Sequence, residues 1–116
     1  GIMKNRCGIR HPDVVDLVTN GDDAFRLVLV EEQELTDDDA LELQQKLNNY
    51  LGFALDGPLL ERYPEASGKQ ACIRVDLYVQ PSPFILEFLR QYAKAIDEYG
   101  VSFELSVNGR ELEYPA

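Results

Sequence analysis

The chain has 116 residues, 45% hydrophobic and 28% charged, values of an ordinary globular domain that exclude a disordered chain, a collagen-like repeat and a disulfide scaffold. No apolar run approaches the roughly 18 residues of a membrane span. Twenty-one acids against eleven bases give a net charge of −10, a field that repels phosphate backbones and anionic bilayers, so the expected partners include neither nucleic acid nor membrane.

Residues 1–13 are polar and aperiodic and read as an N-terminal arm, ordered only where it docks. Gly1-Ile2 ahead of Met3 has the look of a cloning remnant. The segment lacks the apolar stretch of a secretory signal, which points to the cytoplasm. Residues 14–116 are expected to form one α/β domain.

Val14-Val15-Asp16-Leu17-Val18, the turn residues Asn20-Gly21-Asp22-Asp23, and Phe25 to Val30 read as a β-hairpin. Thr36-Asp37-Asp38-Asp39 fits a helix-capping pattern. Ala40, Leu43, Leu47, Tyr50, Leu51, Ala54 and Leu55 then recur at helical spacing, with Lys46 off the stripe. Asp56-Gly57-Pro58 stops that helix, with Gly57 at the left-handed position. Residues 58–70 are a connector, with one helical turn expected before Pro64.

Ala71, Ile73, Val75, Leu77 and Val79 alternate with Cys72, Arg74, Asp76 and Tyr78, the cleanest strand pattern in the chain. Ser82-Pro83 caps a second helix whose stripe is Ile85, Phe88, Leu89, Tyr92, Ala93, Ile96 and Tyr99. Gly100 closes it. Val101, Phe103, Leu105 and Val107 alternate again, and Asn108-Gly109 is a hairpin turn leading to a short edge strand at Arg110 to Tyr114.

The order β-β-α-β-α-β-β predicts an α/β (α+β) fold, a two-layer sandwich with a mixed sheet and two helices on one face. Right-handed crossovers on one side make successive strands step in one direction, so spatial order should follow chain order. The open face should carry Arg26, Val28, Val30, Cys72, Arg74, Asp76, Tyr78, Ser102 and Glu104. Val28 and Val30, with Val14 and Val18, would form an apolar corner on the order of a few hundred Å². Either a partner covers it, or the arm does through Ile2, Met3 and Ile9.

Motifs for chemistry are missing. His11 is the only histidine and Cys7 and Cys72 are far apart, so a closed zinc site cannot form and no metal or cofactor is expected. Cys72 reads as a small buried or half-buried hydrophobe. Asp37-Asp38-Asp39 lacks the spacing of a calcium loop and suits a helix cap. Ser67-Gly68-Lys69-Gln70 has neither the upstream glycine nor the hydroxyl of a phosphate loop. No serine stands in a nucleophile-elbow context. Asp56, Glu61, Glu65 and Asp76 could pair as acids, but acids are abundant throughout. These absences argue against an enzyme. One constellation stands out: Asp56, Arg62, Tyr63, Glu65 and Lys69 in or beside the connector, with Arg74 and Asp76 on the next strand. The bland account pairs Arg62 with a nearby acid and packs Tyr63 under the loop.

The run Val14 to Val18, Leu47-Asn48-Asn49-Tyr50-Leu51-Gly52-Phe53-Ala54-Leu55-Asp56-Gly57, then Arg62-Tyr63-Pro64 and Gly68-Lys69, resembles a group of short bacterial proteins of unknown function. The resemblance covers most of residues 13–107. It implies a small bacterial cytoplasmic protein and brings no catalytic or binding residues with it. It also implies that Tyr50, Phe53, Asp56, Tyr63 and Pro64 form one local unit. From the residues themselves, Asp56-Gly57 turns the chain sharply and Asp56 is expected to accept backbone N–H groups of the connector.

The leading expectation is a non-enzymatic interaction module: a homodimer, or an acidic inhibitor of a basic partner. Its surface would be the open sheet face, with interface candidates Val14, Val18, Val28, Val30 and Tyr78, or an exposed edge strand. The alternative is a small-molecule binder or enzyme with a site between the connector and the strand ends, using Asp56, Arg62, Tyr63, Arg74 and Asp76.

Overall fold

The computed structural model describes residues 8–10, 15–21, 24–55, 61–64 and 67–112. Its elements are β1 (Leu17–Asn20), β2 (Ala24–Glu31), a 3-10 turn (Asp37–Asp39), α1 (Ala40–Leu55), β3 (Gln70–Leu77), α2 (Pro83–Asp97), β4 (Ser102–Val107) and β5 (Arg110–Leu112). The strands form one sheet in the order β1-β2-β3-β4-β5. The central pairs β2/β3 and β3/β4 are parallel, and the outer pairs are antiparallel. This is the two-layer mixed α/β sandwich expected from the periodicity.

Alternation decides which face is buried. Phe25, Leu27, Leu29, Ile73, Val75, Leu77, Phe103, Leu105 and Val107 share one face. They form a single core cluster with Leu43, Leu47 and Tyr50 of α1 and Ile85, Leu89, Ala93 and Ile96 of α2. Each large aliphatic or aromatic side chain buried there stabilises the fold by about 1.5–3 kcal/mol.

The helix starts follow their capping chemistry. The Asp39 carboxylate accepts the Thr36 backbone N–H at 2.8 Å, while the Asp39 N–H reaches the Thr36 carbonyl at 2.9 Å. Ser82 Oγ accepts the Ile85 N–H at 3.3 Å and donates to Asp37 Oδ1 at 2.6 Å, which ties the two helix starts together. Asn108 and Gly109 have φ of 52° and 81°, the left-handed pair that a two-residue hairpin requires.

Several expectations need correction. The first strand was expected over 14–18 but spans Leu17–Asn20. Its ladder stops at Leu17 because a side chain takes over: Tyr50 Oη accepts the Asp16 N–H and donates to the Val28 carbonyl, both at 2.9 Å. Lys46 is not off the helix's inner stripe; it is fully buried. Leu55 and Tyr99, expected inside, are 45% and 62% exposed: Leu55 is the last residue of α1, and Tyr99 lies in the turn past the end of α2. Of the connector turn, Glu61 and Arg62 are helical. Asp56 and Gly57 lie outside the described residues.

Candidate functional site

Among the described residues the valines do not gather into an exposed corner. Val18 pairs with Leu27 and therefore faces the helices, and Val28 is 2% exposed. Val30 is half-buried, and Val14 lies outside the described residues. Ile9 does not cover that corner; it is fully buried in the core on the helix face. The described members of the connector constellation are dispersed as well. Tyr63 packs on Phe25 with ring centroids 5.4 Å apart, at the start of β2, and Arg62 is exposed. Asp56 and Glu65 lie outside the described residues. Arg74 and Asp76 sit further along β3, toward its opposite end, and there they meet Tyr78.

The open face carries a lattice of ion pairs in place of an apolar patch. Glu104 Oε1 receives Arg26 Nε at 2.9 Å and Arg74 Nη1 at 3.0 Å. Arg74 Nε reaches Asp76 Oδ1 at 2.9 Å, and its Nη1 donates to Glu111 Oε1 at 3.0 Å. Ser106 donates to the same Asp76 Oδ1 at 2.8 Å. Register explains the lattice. Arg26, Cys72 and Ser102 form one cross-sheet row, Val28, Arg74 and Glu104 the next, and Val30, Asp76, Ser106 and Glu111 the third. Long side chains reach diagonally between rows.

The electrostatic consequences follow. The Arg26 hydrogen bonds hold the Glu104 carboxyl below its ordinary range, against the opposing effect of burial. The Glu111 hydrogen bond holds the Arg74 guanidinium more firmly protonated, with Glu104 adding to it. Cys72 lies under this lattice at 1% exposure, and burial pushes its thiol up. Its reading as a small buried hydrophobe holds.

The three parallel strands end side by side. The Tyr78 N–H donates to the Glu31 carbonyl at 3.0 Å and the Asn108 N–H to the Leu77 carbonyl at 2.8 Å, extending the ladders one step past β3 and β4. Tyr78 and Val79 emerge there, 56% and 40% exposed. Two depressions flank Tyr78. The first, of about 500 Å³, is lined by Arg74, Asp76, Ser106, Asn108, Gly109 and Glu111. The second, of about 640 Å³, runs between α2 and β5 past Val79, Leu86, Val107 and Leu112. Concave sites in open α/β sheets tend to lie beyond the carboxyl ends of the strands.

A second polar cluster escaped the sequence reading altogether. Lys46 Nζ donates to Asp16 Oδ1 and to the Gly8 carbonyl, each at 2.6 Å. Asp16 Oδ2 accepts the N–H groups of Gly8 at 3.1 Å and Val30 at 2.9 Å. The Glu31 carboxylate accepts from Ile9 at 2.9 Å and Gln33 at 3.0 Å. Gly8 has φ of +105°, and a Cβ there would stand 2.9 Å from Glu31 Oε1. This cluster anchors residues 8–10 to the sheet. Its groups are paired and buried, which makes it a structural lock. Among the described residues no group of three or more His, Cys, Asp or Glu side chains could hold a metal ion, and no helix is long and apolar enough to cross a membrane.

Fold and site together define an acidic two-layer α/β sandwich with an ion-paired open face and an aromatic ridge at the strand ends. The chain belongs to the family of unknown function DUF6572, whose model matches residues 7–109. No curated protein and no solved structure matches the chain.

Proposed function

We propose that the chain is a protein-interaction module that contacts its partner through the Tyr78 end of the sheet. The supporting observation is the exposed Tyr78–Val79 ridge between two depressions. Interface hot spots are enriched in tyrosine and arginine and surrounded by contacts that exclude water. Here a backbone hydrogen bond ties Tyr78 to the end of β2, which lowers the cost of ordering the ridge on binding. The interface candidates thus narrow from the valines to Tyr78, with Arg74 and Asp76 beside it. The bacterial, cytoplasmic setting rests on the resemblance of residues 47–57 and 62–69 to short bacterial proteins.

The test is a photo-crosslinking residue placed at position 78 in the native host. A discrete adduct is expected. Tyr78→Ala, with its melting temperature unchanged, should abolish co-purification of the same partner. Adducts spread over abundant proteins would overturn the reading.

A second reading, small-molecule binding, is favoured by the volume of the first depression, within the roughly 300–1,000 Å³ typical of ligand sites. A bound small molecule seen by native mass spectrometry of the host-purified chain, and lost in Asp76→Ala, would support it.

A further inference from the structure

Charge decides what kind of partner fits the Tyr78 surface, an inference that rests on the interaction reading above. The ridge offers on one side a trough lined by Val79, Leu86 and Leu112 together with Arg110, and on the other a polar depression whose charged residues are Asp76, Glu111 and Arg74. On the polar side and the face behind it, three carboxylates (Asp76, Glu104 and Glu111) surround two guanidinium groups, Arg26 and Arg74. Glu104 serves both arginines, while Asp76 receives Arg74 and Ser106 on the same oxygen, Oδ1. Asp76 Oδ2 therefore has acceptor capacity left among the described residues. Arg110 on the trough side balances the wider count, so the acidic excess lies in the polar depression itself, where Asp76 and Glu111 face Arg74 alone, and beyond it stands the whole-chain charge of −10. A second copy of the chain would bring the same charge to the same surface, and association would have to overcome that repulsion. A basic segment meets the opposite situation: it is steered inward by the long-range field and finds carboxylates at the rim of an exposed aromatic ring.

We propose that the Tyr78 surface docks a basic segment of a different protein. A lysine or arginine side chain enters the depression between Asp76, Glu111 and the Tyr78 ring, which attracts a cation through its face. An apolar neighbour of that side chain lies along Val79 and Leu86. The recognised chemistry is a guanidinium or ammonium group next to an apolar residue.

The test titrates the full chain with two blocked peptides, one alternating arginine with alanine and one alternating glutamate with alanine, followed by backbone amide NMR. The arginine peptide is expected to shift the amides of Asp76, Tyr78, Asn108 and Gly109 saturably, and added salt should weaken it. Asp76→Asn combined with Glu111→Gln should weaken it several-fold. Tyr78→Ala should do the same while leaving every ion pair in place. Shifts centred on Asp37–Asp39, or an unchanged affinity in both variants, would overturn the proposal. Binding of the glutamate peptide at the Tyr78 residues would overturn the cationic assignment and leave the interaction reading standing. A host crosslink at position 78 with no response to either peptide would do likewise.

Discussion

Lys46 Nζ stands 2.6 Å from Asp16 Oδ1, and solvent reaches neither side chain. A pair this deeply buried costs heavily in desolvation, and the geometry offsets that cost by using every remaining partner within reach. Lys46 also holds the Gly8 carbonyl, and Asp16 holds two backbone N–H groups. Removing one member strands the other. Lys46→Met should therefore lower stability by about 3–5 kcal/mol, measured by urea unfolding. A loss below about 1 kcal/mol, the scale of an exposed pair, would show that Asp16 is solvated in solution.

Tyr50 replaces a rung of the β1/β2 ladder with its hydroxyl. Tyr50→Phe leaves the ring volume in place and deprives the Asp16 N–H and the Val28 carbonyl of their partner. The expected cost is about 1–3 kcal/mol. Hydrogen exchange should quicken at the Asp16 amide ahead of the centre of β2. Uniform quickening along β2 would contradict the local role.

Gly8 lies in a backbone region that side chains rarely adopt, with Glu31 Oε1 where a Cβ would go. Gly8→Ala should cost about 1–3 kcal/mol through strain alone. It should also displace residues 8–10, visible as loss of the Ile9 amide's protection. Gly109→Ala is the comparison: it shares a positive φ but meets open space, so its cost should be smaller and confined to the hairpin.

Glu104 predicts an acid dependence. Its folded pKa lies below the ordinary value because Arg26 and Arg74 hydrogen-bond the carboxylate. Its stabilising contribution is therefore complete above the unfolded carboxylate pKa of about 4.3 and is lost as pH falls through the lowered folded value. Glu104→Gln should flatten the acid limb of a stability-versus-pH curve while changing little of its slope near neutrality. An unchanged acid limb would place the titration elsewhere.

Cys72 should be inert. Burial raises its thiol pKa, and Arg26 and Glu104 of neighbouring strands bridge over it. In a Cys7→Ser background, alkylation should be slow and should track global unfolding with denaturant. Arg26→Ala should speed it without full unfolding. Fast labelling of the native chain would mean that the lattice opens.

Much of this was legible because it is local. Thr36 with Asp39, Ser82 with Pro83, and Asn108-Gly109 each act within one turn of chain, and the structure places all three as read. The period-two alternation of 71–79 and 101–107 fixed which residues face the helices. Lys46 was misread because periodicity ranks side chains by polarity and cannot see a partner thirty residues away. The valine corner was misread for a related reason: β1 spans 17–20, with Tyr50 taking the Asp16 N–H and the Val28 carbonyl, so Val18 pairs with Leu27 on the helix side.

The sequence by itself determined the elements, their order and the sheet topology, since hydrophobic period, capping residues and crossover handedness leave one arrangement that buries a single apolar face. It also determined the acidic field. Only the tertiary structure decided which polar residues go inside. It also decided that Arg26, Arg74, Asp76, Glu104 and Glu111 lock into one lattice, and that Tyr78 stands exposed between two depressions. Those outcomes depend on strand register and on side chains meeting across the sheet, and neither is encoded within a single stretch of chain.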